Sequence, residues 1–448
     1  MTRPTLTTGS ILRGLGHLSV PMLVTGLLQN VQSLIDLFWV GSLGPSAVAA
    51  VAMSGAVLMT LFPLVMGIST GTIAIVARAA GAGRLEEAEE AASQSMLLSL
   101  VFGVVSGIAG ILLSGFLLDL LGAGADIAEA GTAYLRISLL GSATVFVLFI
   151  GNAALQGVGD ALTPMWIMLV ANVLNIFLDP AFIFGLGPLP RMGVRGAALA
   201  TVLAQGAAAF LSVFFLLNGK THLHLKLHHF KPALFLCWRI LRIGIPGAGQ
   251  MLARSLVNAV MMRFVAAAGT IAVAAYGVGM RFHMIVLMPA FALGGAAATM
   301  VGQNLGAGEP RRAKRSAWYA TLIDVAIMCV AAAAFMVFAP DMIGAFNSDP
   351  DVVAVGTNYL RIVSPFYVFA ALGIILGRAL NGAGDSMTPF IITMLSLWGL
   401  QVPLAVAFSR LWQPAIHGIW WSMAAAMAVH GILVASWFET GRWMKKHV

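Results

Sequence analysis

Gly157-Val158-Gly159-Asp160-Ala161-Leu162-Thr163-Pro164 returns as Gly382-Ala383-Gly384-Asp385-Ser386-Met387-Thr388-Pro389. Tyr134-Leu135-Arg136-Ile137 returns at the same offset as Tyr359-Leu360-Arg361-Ile362, Gly81-Ala82-Gly83 as Gly306-Ala307-Gly308, and Pro21 as Pro246. Each Gly-x-Gly-Asp reads as a turn, and the aspartate three residues before Thr-Pro reads as the cap of the next helix. A duplicated half in an apolar chain is a common plan for secondary transporters, with the substrate site expected between the halves.

The chain of 448 residues is 60% hydrophobic and 9% charged. Soluble domains carry roughly 25% charged residues, so a soluble protein of this length would lack polar surface. The apolar residues come in runs near or above the ~20 needed to cross a bilayer. Twelve spans are expected, at 15–39, 46–77, 92–118, 131–156, 163–186, 194–217, 241–266, 271–303, 316–339, 355–380, 388–411 and 416–438. The expected fold is an all-α membrane protein, with six spans in each of two pseudo-symmetric lobes. The first lobe is 1–217, a basic linker is 218–242, and the second lobe is 243–448. An even span count per half makes the repeats parallel.

Lys and Arg set the orientation. One set of loops holds Arg78, Arg84, Lys220, Lys226, Lys231, Arg239, Arg242, Arg311, Arg312, Lys314, Arg315, Arg442, Lys445 and Lys446. The other holds Arg136, Arg191, Arg195, Arg361 and Arg410. The first set is expected in the cytoplasm, with both termini, in the plasma (inner) membrane. The net charge of +8 follows from these flanks and is no nucleic-acid signature. Cys237 and Cys329 stand far apart and form no disulfide framework. The N-terminus lacks a cleaved-signal pattern.

Ionisable groups at bilayer depth cost several kcal/mol unless solvated or paired, so each is a functional candidate. Gln29, Gln32 and Asp36 fall at i, i+3 and i+7 in span 1, on one helical face. Asn172, Asn175 and Asp179 repeat this in span 5, and Thr201 and Gln205 follow at i, i+4 in span 6. Carboxylates, amides and a hydroxyl are hard oxygen ligands suited to Na⁺. The same carboxylates taken out of water can carry protons. A purely structural role for Asn175 and Asp179, tying helices or capping the end before Pro180, stays open. Span 7 offers Gln250, Arg254 and Asn258. Arg254 is expected to face the cavity or a partner carboxylate, whereas Arg263 snorkels to an interface. The 24 methionines suit core packing and adaptable binding surfaces.

The linker carries His222, His224, His228 and His229. Clustered imidazoles bind metals, but no neighbouring carboxylate or cysteine completes a set, so no metal site is expected. An amphipathic segment on anionic lipid is the competing reading. Gly219-Lys220-Thr221 lacks the upstream glycine of a P-loop, position 214 being Phe. No hydrolase motif sits in a usable context, so neither an enzyme nor a cofactor is expected.

Taken together, these motifs resemble the multidrug and toxic compound extrusion (MATE) transporters, over essentially the whole chain. The resemblance rests on the twelve spans, Asp36, the Gly-Ala-Gly and Gly-x-Gly-Asp-x-x-Thr-Pro pairs, Asn175-Ile176-Phe177-Leu178-Asp179-Pro180, and Gly196-Ala197-Ala198. It implies a monomeric exporter that exchanges H⁺ or Na⁺ for small organic, often cationic, drug-like compounds by alternating access. It places the cation-coupling site on Asp36, Asn175, Asp179 and Thr201. Gln29, Gln32, Asn172, Gln205, Gln250, Arg254 and Asn258 then line the substrate cavity, and Pro21 is the bend of span 1. Arg254 stands where one branch of the family has an acid, so the chain looks closer to the DinF-type branch. The rival readings are a flippase for an anionic lipid-linked substrate, favoured by Arg254, Arg281 and Arg378, and a non-transporting scaffold or receptor.

Overall fold

Inside a bilayer every backbone N–H and C=O must find its partner within the chain, so apolar runs of this length fold as helices. The computed structural model describes residues 6–187, 190–219, 221–411 and 414–446, with backbone alone at 125 and 126. Lys220 lies outside them. Its helices are α1 (Ile11–Gly41), α2 (Pro45–Leu58), α3 (Phe62–Gly81), α4 (Leu85–Leu120), α5 (Ala125–Leu140), α6 (Ser142–Gly157), α7 (Leu162–Phe184) and α8 (Val194–Leu217). The second half holds α9 (Leu234–Ala267), α10 (Thr270–Gly306), α11 (Pro310–Gly344), α12 (Pro350–Val363), α13 (Tyr367–Ala371), α14 (Gly377–Gly382), α15 (Met387–Thr393), α16 (Val402–Leu411) and α17 (Ala415–Glu439).

Several of these join into single spans. α2 and α3 are linked by one 3₁₀ turn, Met59–Leu61. α5 and α6 meet at 45°, at Gly141. α13 and α14 flank a π-helical segment, Leu372–Leu376, and α15 and α16 flank another, Met394–Gln401. Among the described residues, ten helices or joined segments are long and apolar enough to cross a membrane, eleven with the bent α5–α6 pair; α9 makes a twelfth helix of spanning length, giving six in each half. Large apolar side chains face outward along them: Phe38, Leu112 and Val330 are 73%, 75% and 72% exposed. Such surface is stable against lipid and not against water. α9 carries four arginines, Arg239, Arg242, Arg254 and Arg263. Apolar runs do not reveal the bend at Gly141 or the π segments, since both change helix geometry without changing composition.

The duplicated turns are chemically the same object. Gly159 and Gly384 take φ of 88° and 86°, where a side chain would be strained. The N–H of Asp160 closes on the Leu155 carbonyl and that of Asp385 on the Leu380 carbonyl, each at 2.9 Å. These are the wrap-around bonds of a glycine-ended helix. Asp160 then accepts the Thr163 N–H (3.0 Å) and hydroxyl (2.7 Å). Asp385 accepts the Thr388 N–H (3.4 Å) and hydroxyl (2.9 Å), together with Trp437 Nε1 (3.2 Å) and Lys446 Nζ (2.6 Å). Both aspartates thus cap the helix that follows, as their spacing predicts.

The chain divides into two compact units. One is Val20–Ile245; the other joins the stretch ending at Ser19 to Pro246–Val448. α1 and α9 therefore each pass from one unit into the other, next to Pro21 and Pro246. A proline inside a helix removes one backbone hydrogen bond and weakens the helix there. In the second unit the N-terminal stretch is tied down by Arg312, which donates to the carbonyls of Thr8 and Gly9, both at 3.0 Å.

The histidine-bearing linker belongs to the first unit. Among its described residues, those before Leu234 form one 3₁₀ turn, Leu227–Phe230, and the remainder, from Leu234, is the start of α9; the segment is clamped to α4 by a buried glutamine. Gln94 Nε2 donates to the carbonyls of His229 and Lys231, each at 2.8 Å, and Gln94 Oε1 accepts the Ala233 N–H at 3.0 Å.

Candidate functional site

In the first unit the polar stripe of α7 turns inward. Asn172, Asn175 and Asp179 are all buried, which a membrane helix tolerates only where it meets polar partners. α1 supplies them. Asp36 and Asp179 are hydrogen-bonded carboxyl groups, and Asn175 is a partner of both. Asn175 Nδ2 donates to Asp179 Oδ1 at 3.2 Å, while Asn172 Nδ2 donates to the Met168 carbonyl at 2.9 Å. Four acceptors in this stripe stay buried without a partner: Asp36 Oδ1, Asn172 Oδ1, Asn175 Oδ1 and Asp179 Oδ2. Gln32 is also buried, with its Nε2 unpartnered. Buried polar atoms are normally satisfied, so this concentration of free oxygens has the character of a cation-binding set.

The structure places other expected residues less centrally. The Thr201 hydroxyl donates to the Ala197 carbonyl of its own helix at 3.0 Å. Gln29 and Gln205 are half-buried, and no hydrogen bond from either to the carboxyl pair is found among the described residues. Tyr134, which sequence reasoning did not place here, lies within electrostatic reach of both carboxyls. The repeated Tyr-Leu-Arg-Ile motif marks the residue but not this role, because its counterpart Tyr359 sits elsewhere, packed on Trp420 with ring centroids 4.8 Å apart.

The second unit carries a basic cluster instead. Arg254 Nη2 lies 3.2 Å from His430 Nε2, and the Thr393 hydroxyl lies 3.3 Å from the same nitrogen. A guanidinium only donates, so His430 Nε2 accepts and the ring proton sits on Nδ1. Gln250 Nε2 donates to Thr393 Oγ1 (3.2 Å) and to the Pro389 carbonyl (3.4 Å). Arg378 lies within electrostatic reach of Arg254, and its guanidinium stacks 5.3 Å from the Phe291 ring centre. Among the described residues neither arginine forms a salt bridge, so the partner of Arg254 is His430 and not a carboxylate. Asn258, Arg263 and Arg281 are exposed, which leaves Arg281 outside the pair formed by Arg254 and Arg378.

Local geometry builds this cluster. A Cβ on Gly373 would stand 2.3 Å from His430 Nδ1, so only glycine lets the ring in. Both π segments border the cluster: Gly373 lies in one, and Thr393 immediately precedes the other. Single π turns recur at functional sites. Sequence reasoning passed over His430, although a histidine in an apolar span was a legible signal. It also passed over Asp324 on α11, fully buried, with both carboxyl oxygens lacking a hydrogen-bond partner.

Comparison with known proteins agrees with this architecture. The MatE family profile matches twice, over residues 21–181 and 246–407, and its two starts fall on Pro21 and Pro246, a pair already related by the internal repeat. "Probable multidrug resistance protein YoeA" of Bacillus subtilis is 28% identical over 443 residues, covering 98% of this chain and 96% of its own. The "FAD transporter" of Shewanella oneidensis is 28% identical, covering 89% and 88%. A crystal structure of MATE in the bent conformation superposes with a TM-score of 0.91 at 28% identity, covering 97% of this chain and 96% of that one. The chain is thus a polytopic membrane transporter, not an enzyme, and it belongs to the MatE family.

Proposed function

We propose that this transporter exports small organic, drug-like compounds, many of them cationic, in exchange for H⁺ or Na⁺ taken up at Asp36, Asn175 and Asp179. The observation that carries the reading is the hydrogen-bonded carboxyl pair with free buried oxygens around it. Two carboxylates in contact in a dry site cannot both remain charged without a shared proton or an intervening cation. Loading the pair therefore adds positive charge where little solvent screens it. A cationic substrate held by the unloaded state is repelled by the loaded one. Ion and substrate need only favour opposite conformations to be coupled, and alternating access then completes the exchange. The prolines at the two helices that pass between units are the candidate hinges. The basic loops and both termini face the cytoplasm of the plasma membrane, and one chain suffices as the working unit.

The test is substrate-evoked cation release from purified protein in liposomes, run with a pH gradient and then with a Na⁺ gradient. Release in one regime, lost in Asp36→Asn, is the expected outcome. Release that persists in Asp36→Asn overturns the assignment.

A second reading is favoured by the Arg254–Arg378–His430 cluster, which has no acid among its described contacts. Such a wall suits a substrate carrying phosphate or carboxylate, including an anionic lipid-linked one, and the name of the Shewanella relative points the same way. Competition of anionic and cationic dyes for wild type and Arg254→Gln separates the two readings.

A further inference from the structure

The linker histidines lack a carboxylate in sequence, but the fold supplies one. Glu86, in the first turn of α4, comes to His228 and His229 from about 140 positions earlier in the same unit. Ligand atoms of these three side chains all lie within 4.8 Å of one another, and the two imidazole centroids are 4.1 Å apart. The same residues line a cavity of about 390 Å³ together with Glu90, Lys231, Pro232 and Ala233. His229 is only 5% exposed, yet its Nε2 has no hydrogen-bond partner. Its other nitrogen, Nδ1, lies 4.0 Å from Glu89 Oε2. Glu89 is itself held, since its Oε1 accepts the His224 N–H at 2.9 Å. A metal-bound imidazole typically donates its second N–H to a carboxylate, and Glu89 stands on that side of the ring, beyond hydrogen-bond distance.

We propose that Glu86, His228 and His229 bind a divalent transition-metal ion of the zinc class. Two imidazoles and one carboxylate make a borderline donor set that suits Zn²⁺, whereas Mg²⁺ and Ca²⁺ require oxygen ligands throughout. Glu90, half-buried on the cavity wall, or a water completes four-coordination. Ligation through His229 Nε2 puts the ring proton on Nδ1, facing Glu89. The 3.3 Å approach of the Lys226 N–H to Nδ1 belongs to the other tautomer and is given up on binding. Lys231 is exposed, so its ammonium swings out of the cavity as the cation enters. The ion adds a second clamp beside Gln94, fastening the linker to α4 just before α9, the helix that passes from one unit to the other.

The test uses full-length protein without a histidine tag, stripped with a chelator and dialysed against Zn²⁺, Co²⁺ or Mg²⁺. The expected result is one Zn²⁺ per chain by elemental analysis, d–d absorption of bound Co²⁺, and a higher unfolding temperature with Zn²⁺ but not with Mg²⁺. Glu86→Gln and His228→Ala abolish stoichiometric binding. Glu89→Gln keeps the oxygen that accepts the His224 N–H and weakens binding about 10–100-fold, acting as a positioning residue. His222→Ala binds as wild type. Glu86 and His228 are exposed, so their variants fold, which the unfolding temperature of the metal-free proteins verifies. The proposal fails if no ion binds stoichiometrically, or if Glu86→Gln and His222→Ala bind alike.

Discussion

Asp36→Asn isolates the exchangeable charge from the fold. Asn has nearly the shape of Asp, and its Nδ2 can donate to the Asp179 carboxylate without any proton being supplied. The contact between α1 and α7, of the order of 1.5–3 kcal/mol for a hydrogen bond to a charged group, therefore survives. Expression and unfolding temperature should stay near wild type. What disappears is the second ionisable group: a pair able to take up one cation between two carboxylates becomes a single carboxylate with a fixed donor. A hundredfold ion gradient supplies about 2.7 kcal/mol per monovalent ion. An exchanger that moves one ion per substrate can then concentrate an uncharged or electroneutrally exchanged substrate up to about 100-fold, whereas the uncoupled variant equilibrates near 1. Accumulation of a fluorescent organic compound in proteoliposomes, with the gradient imposed by dilution, measures the ratio directly. If Asp36→Asn still drives more than about tenfold accumulation, the coupling ion does not pass through this carboxyl pair.

Three further outcomes follow from the packing. Asp385→Ala removes the cap of α15 and the acceptor of Trp437 and Lys446; the cost is about 3 kcal/mol, dominated by the cap and the buried hydrogen bonds, because Lys446 is half-exposed and returns to water. A clearly lowered unfolding temperature in detergent is expected, and an unchanged one would contradict the capping role. Gln94→Ala leaves the His229 and Lys231 carbonyls and the Ala233 N–H without their partner, about 1–3 kcal/mol for each group that stays buried; hydrogen exchange in the linker and tryptic cutting after Lys226 should speed up while the rest of the chain is unaffected. Gly382→Ala would place a Cβ 2.2 Å from the Ala298 carbonyl oxygen, forcing α14 off α10, whereas a Cβ on Gly55 meets nothing within 4 Å. The first should lose more than about 2 kcal/mol and the second should be neutral or gain a few tenths to 1, by unfolding temperature.

What could be read in the linear chain was whatever is decided within one turn of backbone or by the solvent. Gly159 and Gly384, Asp160 and Asp385, and the capped helices after them depend on a short run of consecutive residues, so their repetition announced two equivalent lobes before any contact was known. The bilayer did the same for the spans, because composition alone decides whether a helix is stable in hydrocarbon. The stripes of Asp36 on α1 and of Asn172, Asn175 and Asp179 on α7 were legible as helical faces. Their meeting was suggested by family resemblance, since nothing in periodicity tells one inward face from another. The tertiary structure decided the pairings. It gave Arg254 a histidine partner where the sequence left open the cavity or a carboxylate, brought Tyr134 within electrostatic reach of the carboxyl pair while its repeat Tyr359 went into an aromatic core, and broke two spans with π turns that composition does not register. It also carried Glu86, at the start of α4, to a histidine segment that follows α8 in the chain. The physical reason is the same in each case: hydrogen bonds within a helix are local, but the partner of a buried side chain is chosen by which helix packs beside it.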